Sequence, residues 1–277
     1  MSAASNPKLQ KGAAPFKLLT AGTPNGHKAS ILLEELKDAY PDFSYDFEGI
    51  SFKDNEQKQE WFLQVNPNGR IPAAIVFPEK EGGAPHYLFE SASITLWLAE
   101  HVDKENKFSF TDPYEHSEAL SWVFFGHGGV GPMQGQANHF YRYAPEKIPY
   151  GINRYITETK RLYSVLEDRL SGKRENPAST DGKHTGEGRD FLVGKGKGKY
   201  SFVDINLYPW VRMNAWAGVE DFSTEFPLLS AWVDRIAARP AAQRGIDIPE
   251  KSQYNPNMSK EEQDKKAEEA KQWIHKK

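Results

Sequence analysis

No cysteine occurs among the 277 residues. That absence excludes a disulfide framework, thiolate zinc sites, a Cys-x-x-Cys redox pair and a catalytic cysteine of the protein's own. Any thiol chemistry has to be brought by a substrate. Long apolar runs are missing too: the longest, about Ile71 to Pro78, falls far short of the roughly 20 residues that cross a bilayer. The opening stretch MSAASNPKLQKGAAP contains no apolar h-region, so no secretory signal is expected. Charge of one sign is not in excess either. Lys and Arg number 35 against 38 acidic residues, and the pI is near 6.3, which gives no electrostatic case for a nucleic-acid or anionic-membrane partner. What is present is 38% hydrophobic and 13% aromatic residues, enough to build a packed core. A mean hydropathy of -0.69 points to polar appendages around it. The expectation is a cytoplasmic globular protein of one large or two ordinary domains.

Along the chain, residues 1–15 read as a loose arm. FKLLT at 16–20 is a strand candidate, closed by the turn formers Thr23-Pro24-Asn25-Gly26. Ala29, Leu32, Leu33 and Leu36 then fall at helical spacing. Tyr45-Asp46-Phe47 alternates as a second strand, and Trp61, Phe62 and Val65 sit on a short helix that stops at Asn66-Pro67-Asn68-Gly69. The apolar run from Ile71 to Phe77 predicts a strand covered on both faces, with Pro72 where it begins. Tyr87-Leu88-Phe89 is a fourth strand leading into Glu90-Ser91 and a helix bearing Ile94, Trp97 and Leu98. The order β-α-β-α-β-β-α predicts a compact α/β unit over 16–104 with a mixed four-stranded sheet.

From Pro113 onward strand signals vanish. A stripe from Ile152 to Leu170 runs at helical spacing for roughly 28 Å, and Leu229, Trp232, Val233 and Ile236 make another. An all-helical domain over 113–245 is expected, with 171–190 a polar surface insertion. Residues 246–277 form a polar tail, either a solvated helix or disordered. Ser201 to Asp204 fits a capping box. The Lys195–Lys199 alternation of Lys and Gly has no phosphate-loop spacing and reads as a turn. His127 and His139 have no neighbouring ligand set for a metal. The sequon at Asn257 is idle in a cytosolic protein.

Three short constellations carry chemistry. Thr23-Pro24-Asn25 precedes a helix whose N-terminus offers unpaired N–H groups and a partial positive charge, suited to a thiolate. Its ordinary reading is a turn capped by Asn25. Arg70-Ile71-Pro72 begins a strand; a cis bond there exposes the Ile71 backbone to a peptide-like ligand, whereas most X-Pro bonds are trans. Glu90-Ser91 suits the ammonium and carboxylate of an α-amino acid, and its ordinary reading is Ser91 as a plain N-cap.

Together, in this order and spacing, these segments resemble the glutathione transferases over roughly residues 16–245. TPNGHKASILLEEL, NPNGRIPA, LFESASITLWLAE, GPMQGQANHF and IPYGINRYITETKRLY are similar to the bacterial Nu-class and to fungal relatives of the yeast nitrogen-catabolite regulator, a prion protein. The resemblance implies a thioredoxin-like N-terminal domain followed by an all-helical one. It implies thiol activation by Thr23 and Asn25, and glutathione contacts from Asn25, Gln57, Arg70, Ile71, Pro72, Glu90, Ser91 and Arg154. Arg154 also has a plain reading as a solvated neighbour of Tyr155. Phe124, His127, Met133 and Trp216 are candidates to line a second-substrate pocket, although such aromatics are core residues by default. No metal and no tightly bound cofactor is implied; glutathione is the co-substrate. The partners implied are glutathione or its disulfide, a small electrophile or disulfide, and a second copy in a homodimer. Disulfide-bond reduction with weaker conjugation or peroxidase activity is the expected function. The alternative is a non-catalytic glutathione-binding regulator on the same scaffold; the fungal regulators carry a long Asn/Gln-rich extension where this sequence has the short arm.

Overall fold

The structure, a computed structural model, describes residues 6–80, 82–173, 188–255 and 258–274. The chain divides into two units, residues 1–107 with 238–253, and residues 108–237 with 254–277.

The first unit is built on a sheet of order β2-β1-β3-β4. β1 (Phe16–Thr20) is buried at every position, so it shows no alternation of apolar and polar residues. Helix α1 (Pro24–Ala39) returns to β2 (Asp46–Gly49), which runs parallel to β1. A short 3-10 turn (Glu56–Lys58) and α2 (Glu60–Leu63) bring Trp61 and Phe62 onto Leu19, Ile50, Ala73 and Ile75. β3 (Ala73–Val76) is antiparallel to β1, and β4 (His86–Phe89) is antiparallel to β3. Helix α3 (Ser91–His101) completes the unit. One parallel and two antiparallel ladders make the sheet mixed, and the unit is thioredoxin-like.

The second unit is helical among its described residues. It comprises α4 (Pro113–Phe125), a π turn (Gly126–Val130), α5 (Gly131–Asn138), a second π turn (His139–Tyr143) and α6 (Pro149–Leu170). Then follow α7 (Phe202–Val211), α8 (Phe222–Glu225) and α9 (Pro227–Ala237). On α6 the expected stripe is buried from Thr159 to Leu170, including Leu162, Tyr163 and Leu166. Ser201 caps α7 in a capping box with Asp204. The Lys-Gly run is a turn, with Gly194, Gly196 and Gly198 at φ of 105°, 58° and 84°, where a side chain would be strained. Of the polar insertion at 171–190, residues 174–187 lie outside the described residues, as does Asn257 of the sequon.

Two segments differ from the sequence pattern. α10 (Pro240–Ile246) groups with the first unit because it lies against α1. Arg239 pairs with Glu35 at 2.6 Å, Arg244 pairs with Glu34 at 2.6 Å, and the Ser30 hydroxyl donates to the Gly245 carbonyl at 2.6 Å. Gly245 approaches so closely that an added Cβ would stand 2.5 Å from the Ile31 Cα. The final polar segment contains α11 (Lys260–Ile274), which is neither disordered nor wholly solvated, since Gln263 and Ala267 are buried one turn apart on one face. The buried Arg142 guanidinium donates to Gln263 and, at 2.8 Å, to Asp264.

Candidate functional site

Strand register gathers the sequence motifs of the first unit at one end of its sheet. Thr20 pairs with Gly49, Leu19 with Ala73, and Ala73 with Phe89. The last residues of β1, β2 and β4 therefore lie beside the first residue of β3. The segments that leave or reach that end are the Thr23 turn, the 3-10 turn bearing Gln57, Glu90-Ser91, and Arg70-Ile71-Pro72.

The Thr23 turn is capped differently from its ordinary reading. Thr23, not Asn25, is the N-cap of α1, and its Oγ1 accepts from the Gly26 N–H at 3.1 Å. The cause is Pro24, which lacks an N–H and fits the first helical position, so the residue before it becomes the cap. A hydroxyl that accepts one bond keeps its own proton to donate. Gly26 makes the tight geometry possible, because a Cβ there would collide with the Ala21 carbonyl and the Thr20 hydroxyl. Asn25 stands in the first turn of the helix, half-buried.

Ile71-Pro72 is cis. Asn66 shapes the approach: its side chain donates to the Arg70 carbonyl at 2.6 Å and accepts from the Asn68 N–H at 2.9 Å. Gly69, at φ of 61°, passes within an added Cβ's 2.9 Å of the Gln57 carbonyl, which sets the 3-10 turn beside this loop. The Gln57 amide donates to Asn55 at 2.8 Å, while its Oε1 is enclosed with no donor among the described residues.

Glu90-Ser91 also departs from its ordinary reading. Glu90 takes the cap position of α3 with φ of 67°, makes no side-chain cap bond, and leaves Ser91 as the first helical residue. A non-glycine residue at positive φ costs about 1–3 kcal/mol and persists where the surroundings impose it. Here the strain turns the backbone between β4 and α3 at the end of the sheet where the other motifs meet.

One residue at this end was not singled out from the sequence. Lys28, in the second turn of α1, is 1% exposed and donates to Ser91 Oγ at 3.4 Å. Burial pulls its pKa down to about 8, opposed by the Glu90 carboxylate. The available signal was its position four residues before Leu32, on the apolar stripe of the helix, where lysine is out of place.

The remaining candidates belong to the second unit. Arg154 is exposed near the start of α6, where its charge helps hold the Glu158 carboxyl below the ordinary range, after the larger effect of Arg161. Phe124 is 62% exposed at the end of α4, His127 is in the following π turn and Met133 is on α5, so these three follow one another along the chain. Trp216 is committed to packing. It is buried, its Nε1 donates to the Tyr143 hydroxyl at 2.7 Å, and the Arg142 guanidinium lies 4.6 Å from its ring centre. No group of three His, Asp or Glu among the described residues could hold a metal ion, and none of the described helices is long and apolar enough to cross a membrane.

Comparison with known proteins matches both units. The family described as glutathione S-transferase, N-terminal domain, matches residues 14–100, and the corresponding C-terminal domain family matches 154–240. Disulfide-bond oxidoreductase YfcG of Escherichia coli is 37% identical over 229 residues, covering 83% of this chain and 93% of that protein. A glutathione transferase homolog from Lodderomyces elongisporus, solved with two glutathione molecules per subunit, is 38% identical with a TM-score of 0.70, covering 85% of this chain and 99% of that one. A glutathione transferase from Pseudomonas putida, solved with one glutathione disulfide per subunit, is 30% identical with a TM-score of 0.72, covering 87% and 94%. With a mixed sheet whose end collects a hydroxyl-capped helix, a cis-proline and a Glu-Ser pair, and with matches over both units, the chain belongs to the glutathione S-transferase family.

Proposed function

We propose that the chain is a Nu-class-type glutathione-dependent disulfide-bond oxidoreductase, with conjugation and peroxide reduction as weaker activities. The observation that carries the reading is Thr23 Oγ1. It accepts from Gly26 at 3.1 Å and so retains a proton to donate, at the sheet end shared with cis-Pro72 and Glu90-Ser91. The sequence has no cysteine, so the anionic sulfur belongs to glutathione. YfcG's description and the disulfide bound to the Pseudomonas putida protein support disulfide chemistry.

In the proposed arrangement, glutathione lies along the sheet end with its cysteinyl backbone on Ile71 and its γ-glutamyl group on Glu90 and Ser91. Its sulfur sits at the start of α1. Gln57 and Arg70 flank the backbone of the ligand, and Arg154 is proposed to pair with one of its carboxylates. Thr23 and Asn25 donate to the sulfur and favour the thiolate. A free thiol has a pKa of about 8.5, and a drop of about two units corresponds to roughly 2.7 kcal/mol, within reach of neutral donors at a helix N-terminus.

The thiolate attacks one sulfur of a disulfide, the S–S bond breaks, and the departing sulfur takes up a proton. A second glutathione attacks the glutathionyl sulfur of the mixed disulfide and releases glutathione disulfide and the second thiol. Two electrons pass from two glutathione molecules to the substrate, and no protein atom is oxidised. We further propose a cytoplasmic homodimer, checked by sedimentation velocity.

Parallel assays with hydroxyethyl disulfide and chlorodinitrobenzene test the reading. Disulfide reduction should dominate; conjugation without reduction overturns it. Titration calorimetry with glutathione tests the binding itself, and absence of binding removes the basis of the proposal.

A further inference from the structure

The Lys28 ammonium has no role in the chemistry proposed so far, yet it is a nearly fully buried cation at that end of the sheet. An ammonium carries three donors. Among the described residues Lys28 meets one acceptor, Ser91 Oγ, at a long 3.4 Å. Its neighbours on the helix, Ile31 and Leu32, are fully buried apolar residues. A cation held there with little compensation is unfavourable for folding alone. Burial lowers its pKa to about 8, against the opposing pull of the Glu90 carboxylate.

Ser91 supplies the direction. The side chain is 3% exposed, and its oxygen accepts from Lys28. No acceptor for the Ser91 proton occurs among the described residues, so the serine passes on a donor that the protein itself does not use. Glu90, next along the chain, is exposed and negative, suited to an ammonium. The two ends of an α-amino acid would thus meet opposite charges: a carboxylate from Glu90 and, behind the Ser91 hydroxyl, the positive charge of Lys28.

We propose that Lys28 is the positioning cation of the γ-glutamyl subsite: by donating to Ser91 Oγ it turns the serine proton toward the ligand's α-carboxylate, and its charge offsets that carboxylate from beneath. The inference rests on glutathione being the ligand. It adds a selectivity rule, namely that the α-carboxylate, and not the peptide backbone or the thiol, is what Lys28 reads.

The test compares the wild-type full chain with Lys28→Met, binding S-methylglutathione and an analogue whose γ-glutamyl group is replaced by 4-aminobutyryl. That analogue keeps the ammonium and lacks the α-carboxylate. Lys28→Met should weaken S-methylglutathione by about 10- to 100-fold and change the analogue by less than twofold, as expected for a lost charge-assisted contact. With hydroxyethyl disulfide, KM for glutathione should rise while kcat stays within about twofold. In a Ser91→Ala background the Lys28 substitution should add little, because the serine that transmits its effect is gone. Equal loss for both ligands marks a structural role and overturns the proposal, as does unchanged affinity for S-methylglutathione. If Lys28→Met fails to fold, Lys28→Gln, which retains a donor for Ser91 without the charge, is measured against the same criteria. A wild-type protein that binds no glutathione overturns the proposed function itself, a result separate from any outcome with the variants.

Discussion

Lys28 in the first unit and Asp204 in the second are both buried charges at the start of a helix-bearing segment, and they are treated oppositely. Asp204 is 0% exposed and accepts four bonds: from Leu192 N at 3.1 Å, Ser201 N at 3.0 Å, Ser201 Oγ at 3.2 Å and Trp232 Nε1 at 2.9 Å. Burial pushes its pKa up to about 6 in spite of those donors. A carboxylate offers about four lone-pair sites, so its capacity is filled by the protein. Among the described residues Lys28 meets one acceptor and keeps two donors in hand. A buried charge whose bonding capacity is full belongs to the architecture; one left open is available to a ligand.

The largest effect should come from emptying the filled site. Asp204→Ala strands four buried donors and removes the Asp204 half of the capping box of α7, and should cost about 3–5 kcal/mol in urea unfolding. A loss below about 1 kcal/mol would break the comparison at once. Lys28→Met should do the reverse in the ligand-free protein, stabilising it by about 3 kcal/mol at pH 7, the free-energy equivalent of lowering a lysine pKa from 10.5 to about 8. The sign follows from linkage. Between pH 8 and 10.5 the unfolded lysine is protonated and the folded one is not, so wild-type stability rises across that window and the advantage of the variant fades. For Asp204 the folded carboxyl holds its proton up to about pH 6 and the unfolded one to about 4, so its contribution falls as pH rises from 4 to 6. Denaturation midpoints at pH 4, 6, 8 and 10.5 for both single variants read these windows directly.

Next in size is the site that acts on sulfur. Replacing Thr23 and Asn25 together by alanine should lower kcat/KM for disulfide reduction by about 100-fold, equivalent to the roughly 2.7 kcal/mol asked of the two donors. The ultraviolet thiolate absorbance of bound glutathione, titrated against pH, should move its apparent pKa back toward 8.5. Thr23→Ala also removes a helix cap worth about 1 kcal/mol. Thr23→Ser therefore serves as the control, retaining both the cap and the hydroxyl. Retained turnover and an unmoved thiol pKa in the double variant would dismantle the proposed mechanism.

How far these features were legible depends on whether their cause is local. The Ser201–Asp204 capping box spans four residues, and the strand segments announce themselves by short apolar runs or, at Tyr45-Asp46-Phe47, by alternation, so both are readable in one dimension. Thr23 was readable as part of the turn, but its role as cap follows from Pro24, and Asn25 is an equally good cap by composition. The positive φ of Glu90 leaves no compositional trace, because glutamate is not a residue type that favours that backbone region. Lys28 is not singled out by the sequence, since most helix lysines are solvated; only its spacing from Leu32 marks it. The docking of α10 was hidden for another reason. Its ion pairs to Glu34, Glu35 and Asp38 join positions about two hundred residues apart, and no local pattern encodes such a partner.

A third buried charge sharpens the rule at its weakest end. Arg142 is 5% exposed and comes close to the condition of Asp204: four of its five guanidinium N–H groups donate, to the Trp216 and Ala215 carbonyls, to Gln263 and to Asp264. The four partners are not equivalent. The carbonyls lie inside the unit, whereas the Asp264 side chain is 63% exposed on α11. When Asp264 is truncated to alanine, water can reach the donor it leaves behind, so the variant should lose no more than about 1 kcal/mol, the ordinary worth of a pair with one solvated partner. Gln263→Ala should cost more, because its acceptor is enclosed and nothing replaces it. Urea unfolding of the two variants decides the order. If Asp264→Ala proves the more damaging, counting bonds around a buried charge is a poorer guide than the electrostatic pair, and the contrast drawn between Lys28 and Asp204 would have to be argued from charge alone.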